Sequence, residues 1–412
     1  MTTDEITLRS PAPDEMRAFM QPIADAFSSE MSQPEFEAER QLLEPERCVN
    51  AFVGDERVGS AAAYTFRLTV PGGEVGATGI TGVGVRPDHR RRGLLRRMMT
   101  WLHDDAIRRD EPVAVLGATE AAIYQRFGYG QGTTQSTFSV DPARIRFREP
   151  VGPDPSRRIR MVDEDEAMLL FPAVYDAARR EIPGQVDRSE LKWRLNIVGD
   201  ADWMRHGGGP KYRAVIEVDG EPRGFAIYRV NPDWAPTGPA STLRVLEVIG
   251  LDPVAEQALW EWLFAMDLMG TVTAWRCPVP HPLHQWLLEP RRLGLTVGDG
   301  LWLRILDVPA ALSARTYIGD GRLVLEVADA LIESNAGRWQ LAVKSGSATV
   351  TRTTAAADLE LDMAALASTY LGAYRFGDLA TAGRVRECQP GSLKTADVLF
   401  TPSRAPWSST PF

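Results

Sequence analysis

The stretch VGVRPDHRRRGLLRRMM, Val83 to Met99, decides how this chain is read. Val83, Gly84 and Val85 end an apolar strand, and an arginine-rich turn around Gly93 follows. Leu94, Leu95, Met98, Met99, Leu102 and Ala106 then recur at spacings of one, three and four, which predicts an amphipathic helix with one buried stripe. A turn that feeds a helix N-terminus presents unpaired backbone N–H groups and a partial positive charge, a seat for phosphate. Gly93 lets the backbone approach a ligand with no side chain in the way. Arg86, Arg90, Arg91, Arg92, Arg96 and Arg97 add cationic forks suited to a pyrophosphate or a 3′-phosphate.

Charge elsewhere narrows the partner. The 412 residues carry 46 Lys+Arg against 55 Asp+Glu, a net charge of -9, which argues against a nucleic-acid surface. A basic island in an acidic chain fits one small polyanion better. Neither G-x-x-x-x-G-K-[ST] nor G-x-G-x-x-G stands before the helix, so nucleotide hydrolysis and dinucleotide redox chemistry are disfavoured.

The strand, the R-x-x-G-x turn (Arg90, Gly93, Leu95) and the helix together resemble the acetyl-CoA signature of the GCN5-related N-acetyltransferases (GNATs). Leu95 stands where most members have glycine or alanine. The string RRRGLLR, the chain length and the chain end resemble the Eis (enhanced intracellular survival) branch of that family, where leucine occurs at this site. The resemblance implies acetyl-CoA as co-substrate. It points to cofactor contacts from Val83, Gly84, Val85, Arg90, Arg91, Arg92, Gly93, Leu94, Leu95 and Arg96, and from Thr119 and Glu120 after the next strand.

That strand is predicted over Val113–Gly117, and TEAAIYQRFGYG follows it, residues 119–130. In the family a tyrosine in this Y-x-x-x-G-(Phe/Tyr) setting sits over the CoA sulfur, which makes Tyr124 the expected general acid. A phenol with an ordinary pKa near 10 stays protonated at neutral pH and can protonate a departing thiolate. The structural alternative is packing beside Phe127 and Tyr129. The chain ends APWSSTPF, with Trp407 and Phe412 as aromatic anchors and Pro406 and Pro411 as stiffeners. In Eis-like proteins the terminal carboxylate reaches the acetyltransferase cleft as general base, a role that falls here on Phe412. A substrate ammonium must lose a proton before its nitrogen attacks, and a terminal carboxylate with a pKa of about 3.5 is ionised.

The expected class is α/β (α+β mixed sheets): tandem GNAT folds, the first active and the second degenerate, plus a C-terminal sterol-carrier-protein-like domain. The expected segments are 1–146, 147–306 and 307–412. In the first, a helical region over Met16–Phe27 precedes a loop with Pro34, and Cys48–Phe52, Arg57–Phe66 and Glu74–Val85 are predicted strands with turns at Gly54-Asp55 and Pro71-Gly72-Gly73. The second repeats the order with Lys211–Val218, Pro222–Val230 and Leu243–Leu251, then a helix from Pro253. Its turn, LDPVAEQ, has no glycine and no arginine, so a pyrophosphate finds no grip there. Arg291-Arg292-Leu293-Gly294 precedes a strand and is read as a loop. The third has predicted strands Arg322–Val327, Trp339–Lys344 and Ala348–Thr353 and helices Leu361–Leu371 and Ser392–Leu399.

The remaining signals are sparse. Cys48, Cys277 and Cys388 have no metal or disulfide spacing, and His281 and His284 lack a third ligand, so no metal is expected and a loop or helix-start role is favoured for the histidines. His89 belongs to the basic turn, and His103 is placed on the polar side of the helix. No run reaches bilayer length and the N-terminus is unlike a signal peptide, which predicts a cytoplasmic protein without membrane insertion. The acidic balance fits a cationic amine substrate, aminoglycoside- or polyamine-like or lysine side chains, with Asp25, Phe27 and Phe36 as candidate substrate contacts and Glu30 read as solvated. Family resemblance implies a homo-hexamer. Two alternatives stand: a lipid- or sterol-binding protein acting through residues 309–412, and a non-catalytic acyl-CoA-binding regulator.

Overall fold

The computed structural model describes residues 5–412. In chain order the first elements are β1 (Ile6–Arg9), α1 (Met16–Phe27), α2 (Gln33–Leu42), β2 (Cys48–Val53), β3 (Glu56–Val70), β4 (Gly73–Val85), α3 (Leu94–Arg108), β5 (Val113–Gly117), α4 (Ala121–Gln125) and β6 (Gly130–Gln131). Next come β7 (Thr134–Val140), β8 (Arg157–Met161), α5 (Glu164–Arg179) and α6 (Glu190–Lys192), which runs on as a π-helix, Trp193–Val198. β9 (Lys211–Val218), β10 (Glu221–Asn231), a ribbon of β11 (Trp234–Ala235) and β12 (Gly238–Pro239), β13 (Ser241–Gly250), α7 (Pro253–Phe264), β14 (Met269–Cys277), α8 (Leu283–Trp286) and β15 (Thr296–Asp299) complete the middle. The last part holds β16 (Leu301–Ile305), α9 (Val308–Ala314), β17 (Gly321–Ala328), β18 (Gly337–Lys344), β19 (Ser347–Arg352), β20 (Leu359–Asp362), α10 (Met363–Tyr370), α11 (Phe376–Thr381), β21 (Val385–Glu387) and α12 (Ser392–Phe400).

These elements build two seven-stranded sheets, ordered β1-β2-β3-β4-β5-β16-β6 and β15-β7-β14-β13-β10-β9-β8, and a five-stranded sheet ordered β19-β18-β17-β20-β21. Strand pairing crosses position 146 in both directions: β7 hydrogen-bonds to β14 and β15, and β16 to β5 and β6. Two compact units result. One comprises the chain to Thr133 with Gly300–Pro406 and Thr410–Phe412; the other comprises Thr134–Asp299 with Trp407–Ser409.

In the first unit, α3 lays Leu94, Met98, Met99, Leu102 and Ala106 on Val49, Ala51, Ala61, Ala63 and Ala114. α1 covers the opposite face, with Met16, Phe19 and Met20 against Cys48 and Ala62. With helices on both faces, β2 and β3 are buried over most of their length, so the strands run apolar instead of alternating. The alanines let helices approach closely. Gly84 shows the same constraint, since a Cβ there would lie 2.8 Å from the Ile23 Cα of α1.

Three local readings are corrected. Residues around Pro34 form α2 and not a loop: Ser32 caps it by accepting from the Glu35 N–H at 3.4 Å, Glu35 reaches back to the Ser32 N–H, and the proline stands in the first turn, where it removes no helical bond. Leu361 belongs to β20, and the helix begins after the Asp362 cap. His103 is buried, 3 % exposed, with its Nε2 3.0 Å from the Tyr129 hydroxyl. Burial drives its pKa down to about 3, so it sits in the core as neutral imidazole.

Candidate active site

A bulge shapes the site. β3 and β4 pair as Ser60↔Gly84 and Ala62↔Thr81, so β4 carries one extra residue between them, where Gly82 has φ 57. Such a bulge bends its strand. β4 runs parallel to β5 only at Ala77–Gly79 against Val113–Val115, and beyond that no ladder joins Ile80–Val85 to Leu116–Gly117 among the described residues. The strands open into a wedge whose β4 edge has backbone groups turned away from β3. An extended ligand with amide groups can bond to such an edge as an added strand does.

The turn after β4 leads into α3. Gly93 takes the N-cap place with φ 82, and no side chain caps the helix. A Cβ on Gly93 would meet nothing within 4 Å, so the glycine serves the left-handed backbone and leaves the helix N-terminus open. The first-turn N–H groups and the positive end of the helix dipole are available to an anion. The arginine cluster divides. Arg86 pairs with Glu56 and Asp88, Arg90 donates to the Ala26 carbonyl at 3.2 Å, and Arg97 donates to the Ile6 carbonyl at 3.1 Å. Arg91, with φ 63, Arg92 and Arg96 are exposed around the helix start. Val83, Val85 and Leu95 are half-buried and Gly84 and Leu94 buried, while Thr119 and Glu120 are exposed ahead of α4.

Tyr124, on α4, is 8 % exposed, in one cluster with Leu94, Met98 and Leu116. Its ring meets Tyr129 edge-on at 6.0 Å. Burial, with the Glu120 charge as a smaller cause, raises the phenol pKa, which keeps the hydroxyl protonated.

Phe412 lies at the opening of the same wedge. Its ring stands edge-on to Phe66 at 4.9 Å and to Tyr64 at 6.4 Å, and a Cβ on Gly79 would come within 3.5 Å of it. Its carboxyl end is at the tip of β5: a Cβ on Gly117 would be 4.0 Å from the Phe412 oxygen. Tyr64 and Phe66, two positions apart on β3, thus floor the chain end. The sequence reading missed them, although their period-two spacing puts both on one face. It also missed Arg47, which is fully buried and donates to Glu111 at 2.6 Å and 2.9 Å and to Thr65 at 2.6 Å.

The substrate candidates separate. Asp25 accepts from Gln21 at 2.8 Å and, with Glu30, lines an open depression of about 670 Å³ that also reaches Arg86 and Asp88. Phe27 is exposed at the end of α1. Phe36 is buried among Phe19, Met20 and Cys48, with the Arg17 guanidinium 4.9 Å from its ring centre, so it packs the core beneath α1 and α2. His89 is buried beside Glu56 and Asp88, and His281 accepts the Leu283 N–H at the start of α8.

A bulged strand that parts from its parallel neighbour over an uncapped helix defines a GNAT acetyltransferase fold. Residues 7–132 and 184–305 each match a family described as an acetyltransferase (GNAT) domain, and residues 308–409 match the sterol carrier protein domain. The chain is 36% identical to the N-acetyltransferase Eis of Mycobacterium tuberculosis over 96% of both chains, and 40% identical to an uncharacterized N-acetyltransferase of Streptomyces avermitilis over 99% of both. The crystal structure of Eis1 from Mycobacterium abscessus is similar with a TM-score of 0.84 and 32% identity, covering 98% of this chain and 100% of that one. The chain belongs to the Eis family of GNAT N-acetyltransferases, and that fold implies acetyl-CoA as its co-substrate.

Proposed function

We propose that this N-acetyltransferase acetylates primary amines of a cationic substrate, aminoglycoside- or polyamine-like or lysine side chains, with Phe412 as general base and Tyr124 as general acid. The Phe412 carboxylate takes the proton that the substrate ammonium must lose before its nitrogen attacks the thioester carbonyl. As the N–C bond forms and the C–S bond breaks, the Tyr124 hydroxyl protonates the departing thiolate. Arg91, Arg92, Arg96 and the open N-terminus of α3 hold the phosphates, and the Val83–Val85 edge holds the extended arm. Asp25 attracts the cation. On this reading residues 1–146 carry the chemistry, 147–306 form a repeat without a cofactor seat, and 307–412 deliver the chain end. The enzyme works without a metal, as a cytoplasmic homo-hexamer.

The observation that carries the reading is the place of Phe412, its ring on Tyr64 and Phe66 and its carboxyl oxygen at Gly117 where β5 parts from β4. Chain ends are mostly poorly ordered unless tied down, and this one is held against two aromatic rings. Against the lipid-binding alternative stands the filled C-terminal core: all residues of α10 are buried, and Tyr317 and Phe376 pack edge-on against Phe400.

Deleting Phe412 withdraws the carboxylate by about 3.5 Å, more than a base that must lie within about 3 Å of its proton tolerates. Thiol release from acetyl-CoA with a panel of aminoglycosides, polyamines and lysine peptides is expected to fall by about 10²-fold or more in kcat. A C-terminal tag should do the same and an N-terminal tag should be harmless. Full activity in the C-terminally tagged enzyme assigns the base to another residue.

A further inference from the structure

The second repeat keeps the wedge of the first. β10 and β13 pair as Ile227↔Glu247 and Tyr228↔Val245, so Leu246 is the extra residue of a bulge in β13. β13 runs parallel to β14 as far as Val245↔Ala274, and then the two part. This second wedge is filled, and by the protein's own tail. The Trp407 indole enters between Leu246–Val248 and Trp275–Cys277, donates from Nε1 to the Arg276 carbonyl at 2.6 Å, and leaves a remnant cavity of about 30 Å³. The Trp407 N–H donates to the Pro183 carbonyl at 2.8 Å.

Two residues on, Ser409 enters a second lock. Its N–H and hydroxyl donate to Gln185 Oε1 at 3.2 Å and 3.1 Å, and Arg188 donates to its oxygen at 3.1 Å. Arg188 is itself fixed, fully buried, bidentate to Glu247 at 2.6 Å and 2.9 Å and 3.7 Å from the centre of the Tyr175 ring. Glu247 sits within the bulged stretch of β13, so the strand defect, the buried ion pair and the tail form one connected structure. A chain end held only to be tidied away needs no buried arginine, whose desolvation is expensive unless every donor is matched.

We infer that the cofactor wedge of the degenerate repeat has become a socket for Trp407 and Ser409, and that this socket positions the Phe412 carboxylate for its role as base. The inference rests on the proposed role of Phe412. Phe412 stands three residues beyond Ser409, and an extended chain advances at most about 3.5 Å per residue. Holding Ser409 therefore bounds where the carboxylate can go, and Pro411 narrows its freedom further. Trp407 is on this account a positioning residue, acting on the reaction through the backbone.

Trp407→Ala empties the socket, Trp407→Phe keeps its bulk without the indole donor, and Ser409→Ala removes only the hydroxyl contacts. A base displaced by about 1 Å lowers turnover by about 10²-fold. Expected for Trp407→Ala is a kcat loss of that order with KM for acetyl-CoA unchanged, partial recovery in Trp407→Phe, and a smaller loss of the same kind in Ser409→Ala. The deficit should shrink as pH rises toward the pKa of the substrate amine, because a neutral amine needs no base. Amide hydrogen exchange in the 402–412 peptide of the intact protein should quicken in Trp407→Ala. Parent-like kcat in both Trp407→Ala and Ser409→Ala, or a deficit that raises KM for acetyl-CoA and ignores pH, overturns the positioning role. Removal of Phe412 separates the two readings. If that deletion is silent, the base assignment falls and this inference with it; if it abolishes turnover while Trp407→Ala does not, the socket alone is refuted.

Discussion

The chain builds strand, bulge, turn and helix twice, and the two copies differ most at the helix N-terminus. At α3 the N-cap is Gly93, with φ 82 and no side chain over the first turn. At α7 it is Asp252, whose carboxylate accepts the Ala255 N–H at 2.9 Å and pairs with Arg223 at 2.9 Å. The two ends treat the orphan N–H groups that every helix start presents in opposite ways. One leaves them uncapped and the other closes them with an internal carboxylate. The wedges repeat the contrast, since the second is closed by Trp407 whereas in the first Phe412 stands only at the opening. On the proposed reading, a binding site in this fold is secondary structure left incomplete at chosen places, and losing the site means completing it.

Tyr124→Phe tests the chemistry proposed for the open copy and has the largest expected effect. The ring and its contact with Tyr129 survive, and only the donor is lost, so kcat should fall by about 10²-fold with acetyl-CoA affinity kept. Stopped assays for kcat and calorimetric titration for affinity check it. Parallel loss of both would make Tyr124 a packing residue.

Gly93→Asp carries the closed solution into the open copy. Asp tolerates φ > 0 better than most side chains, and its charge would stand at the proposed phosphate seat. Charge-assisted contacts are worth about 1.5–3 kcal/mol, so KM for acetyl-CoA should rise by about 10-fold or more. Gly93→Asn makes the same backbone demand without the charge and should show much less of the rise. Equal effects of the two would locate the cause in strain at residue 93, not in phosphate binding.

The contrast at the turns could be read from the sequence, because glycine and arginine in one copy and aspartate and glutamate in the other are local signals. The strand ranges 48–52, 57–66 and 74–85 were legible for the same reason, bounded as they are by Gly-Asp and Pro-Gly-Gly turns. α2 was not, because Pro34 looks like a breaker unless the Ser32–Glu35 capping box is weighed with it. His103 was misplaced because its partner, Tyr129, lies 26 residues on, and only tertiary packing makes a histidine on a helix flank a core residue. Trp407 was legible as an anchor but not its socket, since Arg188, Glu247 and Arg276 lie far from it in the chain.

Where the two copies agree, the agreement is also open to test. Each holds a histidine that burial keeps neutral: His103 against Tyr129, and His281 edge-on to Trp260 at 5.3 Å. Burial lowers both pKa values to about 3. The sign follows from the unfolded chain, in which histidine titrates near 6.5. Below that pH the unfolded state gains a proton that the native state refuses, so stability is lost as pH falls from 6.5 toward 3. Each histidine contributes a slope of up to about 1.4 kcal/mol per pH unit. His103→Gln keeps a polar partner for Tyr129 and removes that slope. Its melting temperature should gain on the parent between pH 7.5 and pH 5, and His281→Gln should behave alike; a constant offset across that range would mean that neither histidine resists protonation.

The smallest effect falls on the closed copy. Asp252→Ala removes the cap of α7 and should lower stability by about 1 kcal/mol, whereas Asp252→Gly should lower it by only a few tenths. Loss of the Arg223 pair adds little, because both side chains are more than one-third exposed and such pairs contribute about 0–1 kcal/mol. Neither variant should bind a second acetyl-CoA. Uncapping α7 restores free N–H groups, but no arginine stands in its turn and Trp407 still fills the wedge. Calorimetric titration of Asp252→Gly against CoA is expected to give one site per chain, as in the parent. A second site would mean that one carboxylate alone separates the two repeats, and that the tail in the second wedge yields to ligand.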